Sequence, residues 1–138
     1  MSCNNSCALV LSGPYALFVV LRSGDLALPG GKVERGESSW CAMSREFREE
    51  TGIHRPKPDQ ADLSNKYKRH HRNGNTTKIY YGQTKRPYTW YTFNRHRLLR
   101  PGETQGLVWL RVRDAVNNPR VKSYCRHSLE AMMSRGCF

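Results

Sequence analysis

Apolar residues in the first part of the chain run in short blocks separated by turn residues. Residues 7–12 and 15–22 read as strands joined at Gly13-Pro14. In the second, Leu17, Val19 and Leu21 alternate with Phe18 and Val20, so both sides are apolar. Such a strand is expected to be covered on both faces. Ser23-Gly24-Asp25 marks a turn, and residues 26–28 form a short strand leading into Pro29-Gly30-Gly31. The period then changes. Trp40, Met43 and Phe47 recur at helical spacing and predict an amphipathic helix over 38–51, ending at Gly52. Pro56 and Pro58 mark a break. Residues 62–71 and 76–83 flank Asn73-Gly74, a strong hairpin signal. Residues 88–94 predict a strand, with Trp90 and Thr92 on one face and Tyr91 and Phe93 on the other. Residues 95–106 read as loop, 107–112 as a strand, and 121–134 as a terminal helix with Leu129 and Met133 on one side. This order of elements supports a mixed α/β fold, with one domain expected over residues 1–138 and no repeat or linker.

The polar side of the 38–51 helix changes the picture. Glu46, Glu49 and Glu50 stand at i, i+3 and i+4 and share one face. Glu46 and Glu50 repel as a like-charged pair, which costs a few tenths of a kcal/mol. Both sit just before Gly52, where the helix macrodipole disfavours negative charge. A stretch that breaks local rules in this way points to a functional site. Several carboxylates together suit a hard divalent cation. A merely solvated acidic face would leave the paired glycines and Glu37 unexplained.

Gly31, then Glu37 after five residues, then Arg45-Glu46-Phe47-Arg48-Glu49-Glu50-Thr51-Gly52-Ile53 after seven more fill every position of the Nudix box. The chain therefore resembles a Nudix hydrolase, and Leu28-Pro29-Gly30 resembles the usual approach to that box. The resemblance implies an α/β/α sandwich, with a mixed β-sheet between helices. It implies Mg2+ or Mn2+ as cofactor, held mainly by Glu49 and Glu50 with the carbonyl of Gly30. Glu46 is implied as the group that activates or orients water, directly or through a metal, and Glu46 and Glu49 are not separable as the base. Arg45 is implied to pair with a glutamate and hold the acidic face in place. Glu37 is implied to support the loop and to reach a metal through water, while Lys32 stands where it could touch a substrate phosphate. The family often draws a further carboxylate from a loop before a late Trp-containing strand. Glu103, ahead of Val108-Trp109-Leu110, is the acid available there.

Composition adds a partner to this picture. Net charge is +12 over 138 residues, and it is uneven. Residues 54–100 hold Arg55, Lys57, Lys66, Lys68, Arg69, Arg72, Lys78, Lys85, Arg86, Arg95, Arg97 and Arg100 against only Asp59 and Asp62. Such a field favours polyanions. In the same segment Tyr80, Tyr81, Tyr88, Trp90, Tyr91 and Phe93 interleave with the cations; rings of this kind either fill a core or stack bases. The five cysteines, Cys3, Cys7, Cys41, Cys125 and Cys137, lack zinc-ligand or disulfide spacing and read as reduced thiols. No apolar run reaches the roughly 20 residues of a membrane span, and no basic segment marks a signal peptide. A cytoplasmic setting is expected. The run Lys66-Tyr67-Lys68-Arg69-His70-His71 leaves nuclear import open.

The bond class is a pyrophosphate linkage. The foremost expectation for the substrate is the capped 5′ end of an mRNA, cleaved to release a nucleoside diphosphate. The alternatives are a nucleoside triphosphate, a dinucleoside polyphosphate, a nucleoside diphosphate sugar or a diphosphoinositol phosphate. A non-catalytic RNA-binding module on the same scaffold is disfavoured, because Glu37, Glu46, Glu49 and Glu50 are all present. Nothing in the chain marks an oligomer interface.

Overall fold

The apolar run after Asn4 forms β1 (Asn4–Ser12), with Cys7, Leu9 and Leu11 on one face and Ala8 and Val10 on the other. The computed structural model describes residues 4–53, 62–93 and 102–138. β1 pairs in parallel with β6 (Thr76–Gln83), from Asn4 opposite Thr76 to Leu11 opposite Gln83. Its first half also pairs antiparallel with β4 (Gly30–Lys32), and its end with β2 (Tyr15–Leu21). β2 pairs with β3 (Leu26–Ala27) and with β7 (Thr104–Arg111). β5 (Asn65–His70) lies antiparallel along the outer edge of β6. The result is one mixed sheet of seven strands.

Both faces of the sheet are covered. α1 (Ser39–Thr51) lays Met43 and Phe47 against Ala8, Val10 and Leu17. α3 (Ser123–Ser134) lays Cys125, Leu129 and Met132 against Cys7, Leu9 and Phe18. Full burial of such side chains contributes about 1.5–3 kcal/mol each. The two-sided pattern of β2 has this cause, since Leu17 points into one layer and Phe18 into the other. The α/β/α sandwich expected from the resemblance is the observed architecture. No described helix is long and apolar enough to cross a membrane.

Several boundaries differ from the sequence pattern. Ser38 is the N-cap of α1, not its first residue, and its hydroxyl accepts from the Cys41 N–H at 3.1 Å. A cap of this kind is worth about 1 kcal/mol. Gly30 and Gly31 lie in β4 instead of a free loop. Residues 88–94 were expected as a strand. Tyr88–Trp90 instead form one turn of 3-10 helix, and none of 88–93 joins the sheet. The alternation there serves ring packing, with the buried Tyr91 edge-on to Phe47, Trp90 and Trp109. The late strand starts three residues earlier than expected, at Thr104. Val112, expected as its end, opens a short α2 (Val112–Ala115). Val121 bridges to Leu26 before α3 begins, and Met133 is exposed while Met132 fills the core. Cys7, Cys41, Cys125 and Cys137 are free thiols. Cys3, the break at Pro56 and Pro58, Asn94 and the 95–101 part of the expected loop lie outside the described residues, as do Arg55, Lys57, Asp59, Arg95, Arg97 and Arg100.

Candidate active site

α1 is tied to the sheet at both ends. The Ser6 hydroxyl donates to the Ser39 carbonyl at 2.7 Å, and the Thr104 hydroxyl donates to the Glu50 carbonyl at 2.6 Å. Gly52 closes the helix with φ at 74°, a left-handed value that a side chain disfavours, and its N–H donates to Arg48. Between these anchors the helix passes over β4 at very short range. A Cβ on Gly31 would lie 2.6 Å from the Glu46 carboxyl carbon. A Cβ on Gly30 would overlap the Ser6 carbonyl and lie 2.6 Å from the Cys7 Cα. The paired glycines thus let the carboxylates sit on bare backbone. The Gly30 N–H donates to Glu50 Oε1 at 2.7 Å.

One guanidinium organises the acids. Arg45 forks onto Glu37, with Nε to Oε2 at 2.8 Å and Nη2 to Oε1 at 3.0 Å. Nη2 also donates to the Lys32 carbonyl at 3.1 Å. Nη1 reaches Glu46 Oε1 at 2.9 Å and Glu49 Oε2 at 3.3 Å. Bidentate pairing of this kind fixes geometry as well as charge. Hydrogen bonding from Arg45, helped by the Glu34 N–H, holds the Glu37 carboxyl below the usual carboxylate range. The same contact with Glu37 raises the guanidinium pKa further.

Glu50 behaves in the opposite way. Burial pushes its carboxyl up to about 8, and Glu46, Glu103 and Glu49 add to the rise, while the Gly30 N–H opposes it. A proton or a cation relieves that strain of charge. Among the described residues no three acid, His or Cys side chains surround a common point as a finished cation cage. The donor set nonetheless fits a hard divalent ion. Glu50 is buried where negative charge is penalised, Glu46 and Glu49 stand beside it, and all donors are oxygens. Glu103 is exposed, and its carbonyl accepts from the Arg22 N–H at 3.0 Å. Its charge acts on Glu50 from the β7 end of the site.

Lys32 is exposed and pairs with Asn5 across β4 and β1, so it points to the sheet face opposite Glu46. On that face lies a cleft of about 380 Å³, lined by Asn5, Gly31, His71, Asn73, Thr77 and Tyr124. His71 Nε2 and the Thr77 hydroxyl share a hydrogen bond of 2.8 Å. The lining is almost all neutral hydrogen-bonding groups. The cleft adjoins the acids, because Gly31 borders both, and Glu50 and Glu46 help raise the Cys7 thiol beneath it, after burial and Cys125. Sequence reasoning missed this cleft. Its residues come from β1, β4, β6, the β5–β6 turn and α3, and only the pairing of β1 with β4 and β6, with α3 laid on that face, assembles them.

The family model of the NUDIX domain matches residues 3–131. A search of curated proteins finds no match. Among solved structures, the fold is similar to the MutT protein from Methanosarcina mazei Go1, with 19% identity, a TM-score of 0.65, and coverage of 98% of this chain and 95% of that one. It is similar to the MutT NUDIX hydrolase from Burkholderia pseudomallei, with 23% identity, a TM-score of 0.63, and coverage of 94% and 97%. A bifunctional NMN adenylyltransferase/ADP ribose pyrophosphatase from Francisella tularensis, complexed with AMP and a Mn ion, matches with 16% identity and a TM-score of 0.65, over 98% of this chain and 42% of that one. With the box filled at every position and the family model matched over nearly the whole length, this chain belongs to the Nudix hydrolase family.

Proposed function

We propose that this chain is a divalent-metal-dependent pyrophosphohydrolase acting on a nucleoside-diphosphate-linked substrate, and that the substrate is the capped 5′ end of an RNA. The observation that carries the chemistry is the gathering of Glu46, Glu49 and Glu50 on glycine backbone beside Arg45. Glu49, Glu50, Glu46 and the Gly30 carbonyl are the groups to hold Mg2+ or Mn2+, with Glu103 adding charge from the loop before β7. Bound there, such an ion supplies screening of the phosphate oxygens and a lowered pKa for water. Glu46 takes the proton from the attacking water at its carboxylate, with Glu49 as the other base the site offers. Arg45 keeps Glu46 and Glu37 in place, so the base does not swing away when the substrate enters. Lys32, on the sheet face away from Glu46, would meet a substrate phosphate only at the edge of the neutral cleft.

The neutral cleft is fitted to a nucleoside, since amides, a hydroxyl and an imidazole read base edges. That lining counts against an inositol polyphosphate, which needs cations around it. The excess of Lys and Arg in residues 54–100 supports a polyanionic leaving group over a free nucleotide. The second reading is a small nucleotide substrate, favoured by a cleft of only about 380 Å³. The test sets cap-labelled RNA beside nucleoside triphosphates, dinucleoside polyphosphates, nucleotide sugars and inositol pyrophosphates, each with Mg2+ or Mn2+. Release of a labelled nucleoside diphosphate, with kcat/KM for capped RNA the highest of the set, is expected. Turnover confined to the free nucleotides would establish the second reading and remove the first.

A further inference from the structure

Two strands out from Gly30 and Gly31, the sheet carries positive charge that no described residue balances by an ion pair. In one row across the sheet, Gly31 of β4 stands opposite Ser6, Ser6 opposite Lys78 of β6, and Lys78 opposite Lys68 of β5. Residues directly opposite share a face. Gly31 faces Glu46 and Ser6 faces the start of α1, so Lys78 and Lys68 lie on the α1 side. With strands spaced about 4.8 Å apart, Lys78 is roughly 10 Å and Lys68 roughly 14 Å from Gly31. Lys66 sits two residues along β5 on the same face, opposite Tyr80.

Like charges directly opposite one another destabilise a sheet. Lys68 and Lys78 accept that cost, and neither they nor Lys66 forms an ion pair with any described residue. Beside them is a second cleft, of about 350 Å³, lined by Trp40, Leu63, Ser64, Lys66 and Tyr80. Trp40 and Tyr80 meet edge to face, their centroids 5.1 Å apart, and both are only half-buried. Half-exposed rings flanked by unpaired lysines are the combination that binds single-stranded nucleic acid, with bases on the rings and phosphates on the cations.

We infer that the Trp40–Tyr80 cleft and the Lys66–Lys68–Lys78 patch hold the single-stranded RNA that follows the cleaved 5′ end. The inference deepens the decapping reading and rests on it for the choice of RNA. It places the RNA body around the N-terminal end of α1, away from the nucleoside cleft on the other sheet face. It also separates two kinds of recognition. The neutral cleft reads one nucleoside, whereas this surface accepts any base sequence.

The test uses an uncapped, 5′-hydroxyl single-stranded RNA of about 12 nucleotides, within the usual site size for such surfaces. Having no pyrophosphate, it reports binding whether or not the decapping reading holds. Wild-type protein is expected to bind with affinity falling log-linearly with salt, and to bind the matching duplex more weakly, since duplex bases cannot stack on the rings. The triple variant Lys66→Gln, Lys68→Gln, Lys78→Gln, in which the first two positions are exposed and the third half-buried, should, at an unchanged melting temperature, bind at least about tenfold more weakly. Its salt slope should be shallower by about 2, at roughly 0.7 per phosphate contact. RNA should quench tryptophan fluorescence in the wild type and much less in Trp40→Phe, with affinity retained. Equal affinity and slope in the triple variant, equal binding of the duplex, or undiminished quenching in Trp40→Phe would each overturn the inference. Intact RNA binding without release of a nucleoside diphosphate from capped RNA would remove the decapping reading and leave this surface standing.

Discussion

On α1, Glu46 and Glu49 share the Arg45 guanidinium, Glu37 grips its other edge, and Glu50 is buried against the Gly30 N–H. On the β5–β6 hairpin, Lys68 stands opposite Lys78, and among the described residues no acid forms an ion pair with either. Both regions concentrate one sign of charge, yet only the first is given an internal counter-ion. The difference fits the two roles proposed for these regions. A catalytic carboxylate has to be held to a fraction of an ångström, so its partner is built into the fold. A surface that tracks a flexible chain gains by staying solvated until phosphates displace its counter-ions.

Removing the internal counter-ion should break this contrast most severely. Arg45→Met leaves Glu37, Glu46 and Glu49 facing one another across a mostly buried space. The expected cost is about 3 kcal/mol of unfolding free energy, the low end for removing one partner of a buried ion pair. Turnover should fall by about 10–100-fold, the usual penalty for losing a group that orients a metal ligand. Urea unfolding and kcat measure the two effects separately. A variant as stable and as active as the wild type would show that Arg45 organises nothing.

The next effect is a pH dependence of the metal-free protein. The Glu50 carboxyl stands near 8 in the fold, against about 4.3 in an unfolded chain. The folded state therefore holds the extra proton between those values. The associated stability is complete below the unfolded value and is lost as pH rises through about 8. Melting temperature in chelator should thus decline from pH 5 toward pH 8 or so. Mg2+ should recover more of it at the alkaline end, where the charged carboxylate awaits a cation. Glu50→Gln should flatten the profile. A flat profile in the wild type would mean that Glu50 is already compensated.

A smaller effect is expected at the loop before β7. Glu103 is exposed and acts on Glu50 through its charge. Glu103→Gln should slow turnover by a few-fold without changing the unfolding midpoint, because no described contact of its side chain holds the fold together. Unchanged kcat across pH and metal titrations would exclude it from the site.

These contrasts also show which parts of the molecule could be read from the chain. Arg45, Glu46, Glu49 and Glu50 lie on α1, where helical spacing alone places them together, and Glu37 stands one residue before the helix cap. Asn73-Gly74 closes the β5–β6 hairpin for an equally local reason. Residues 88–93 were misread because alternation records which side chains are buried, and says nothing of whether a partner strand exists. Here the rings fill a gap beside α1, and the Tyr91 hydroxyl donates to Asp62 at 3.1 Å. The neutral cleft beside the acids was invisible for a different cause. Asn5, Thr77 and Tyr124 are remote in the chain and meet only through the register of β1 with β6 and the packing of α3 on that face. The lysine row has the same origin. Its charges were countable from sequence, but their alignment with Gly31 was not.

The central claim is that the α1 carboxylates run a metal-dependent hydrolysis. Its most direct test is the turnover of the best substrate in the panel, followed against Mg2+ concentration for the wild type and for Glu49→Gln. Rates should rise with Mg2+ in the wild type, and the variant should be slower by more than about 100-fold at every concentration while melting normally. Equal rates in the two proteins, or wild-type turnover that persists in excess chelator, would contradict the account.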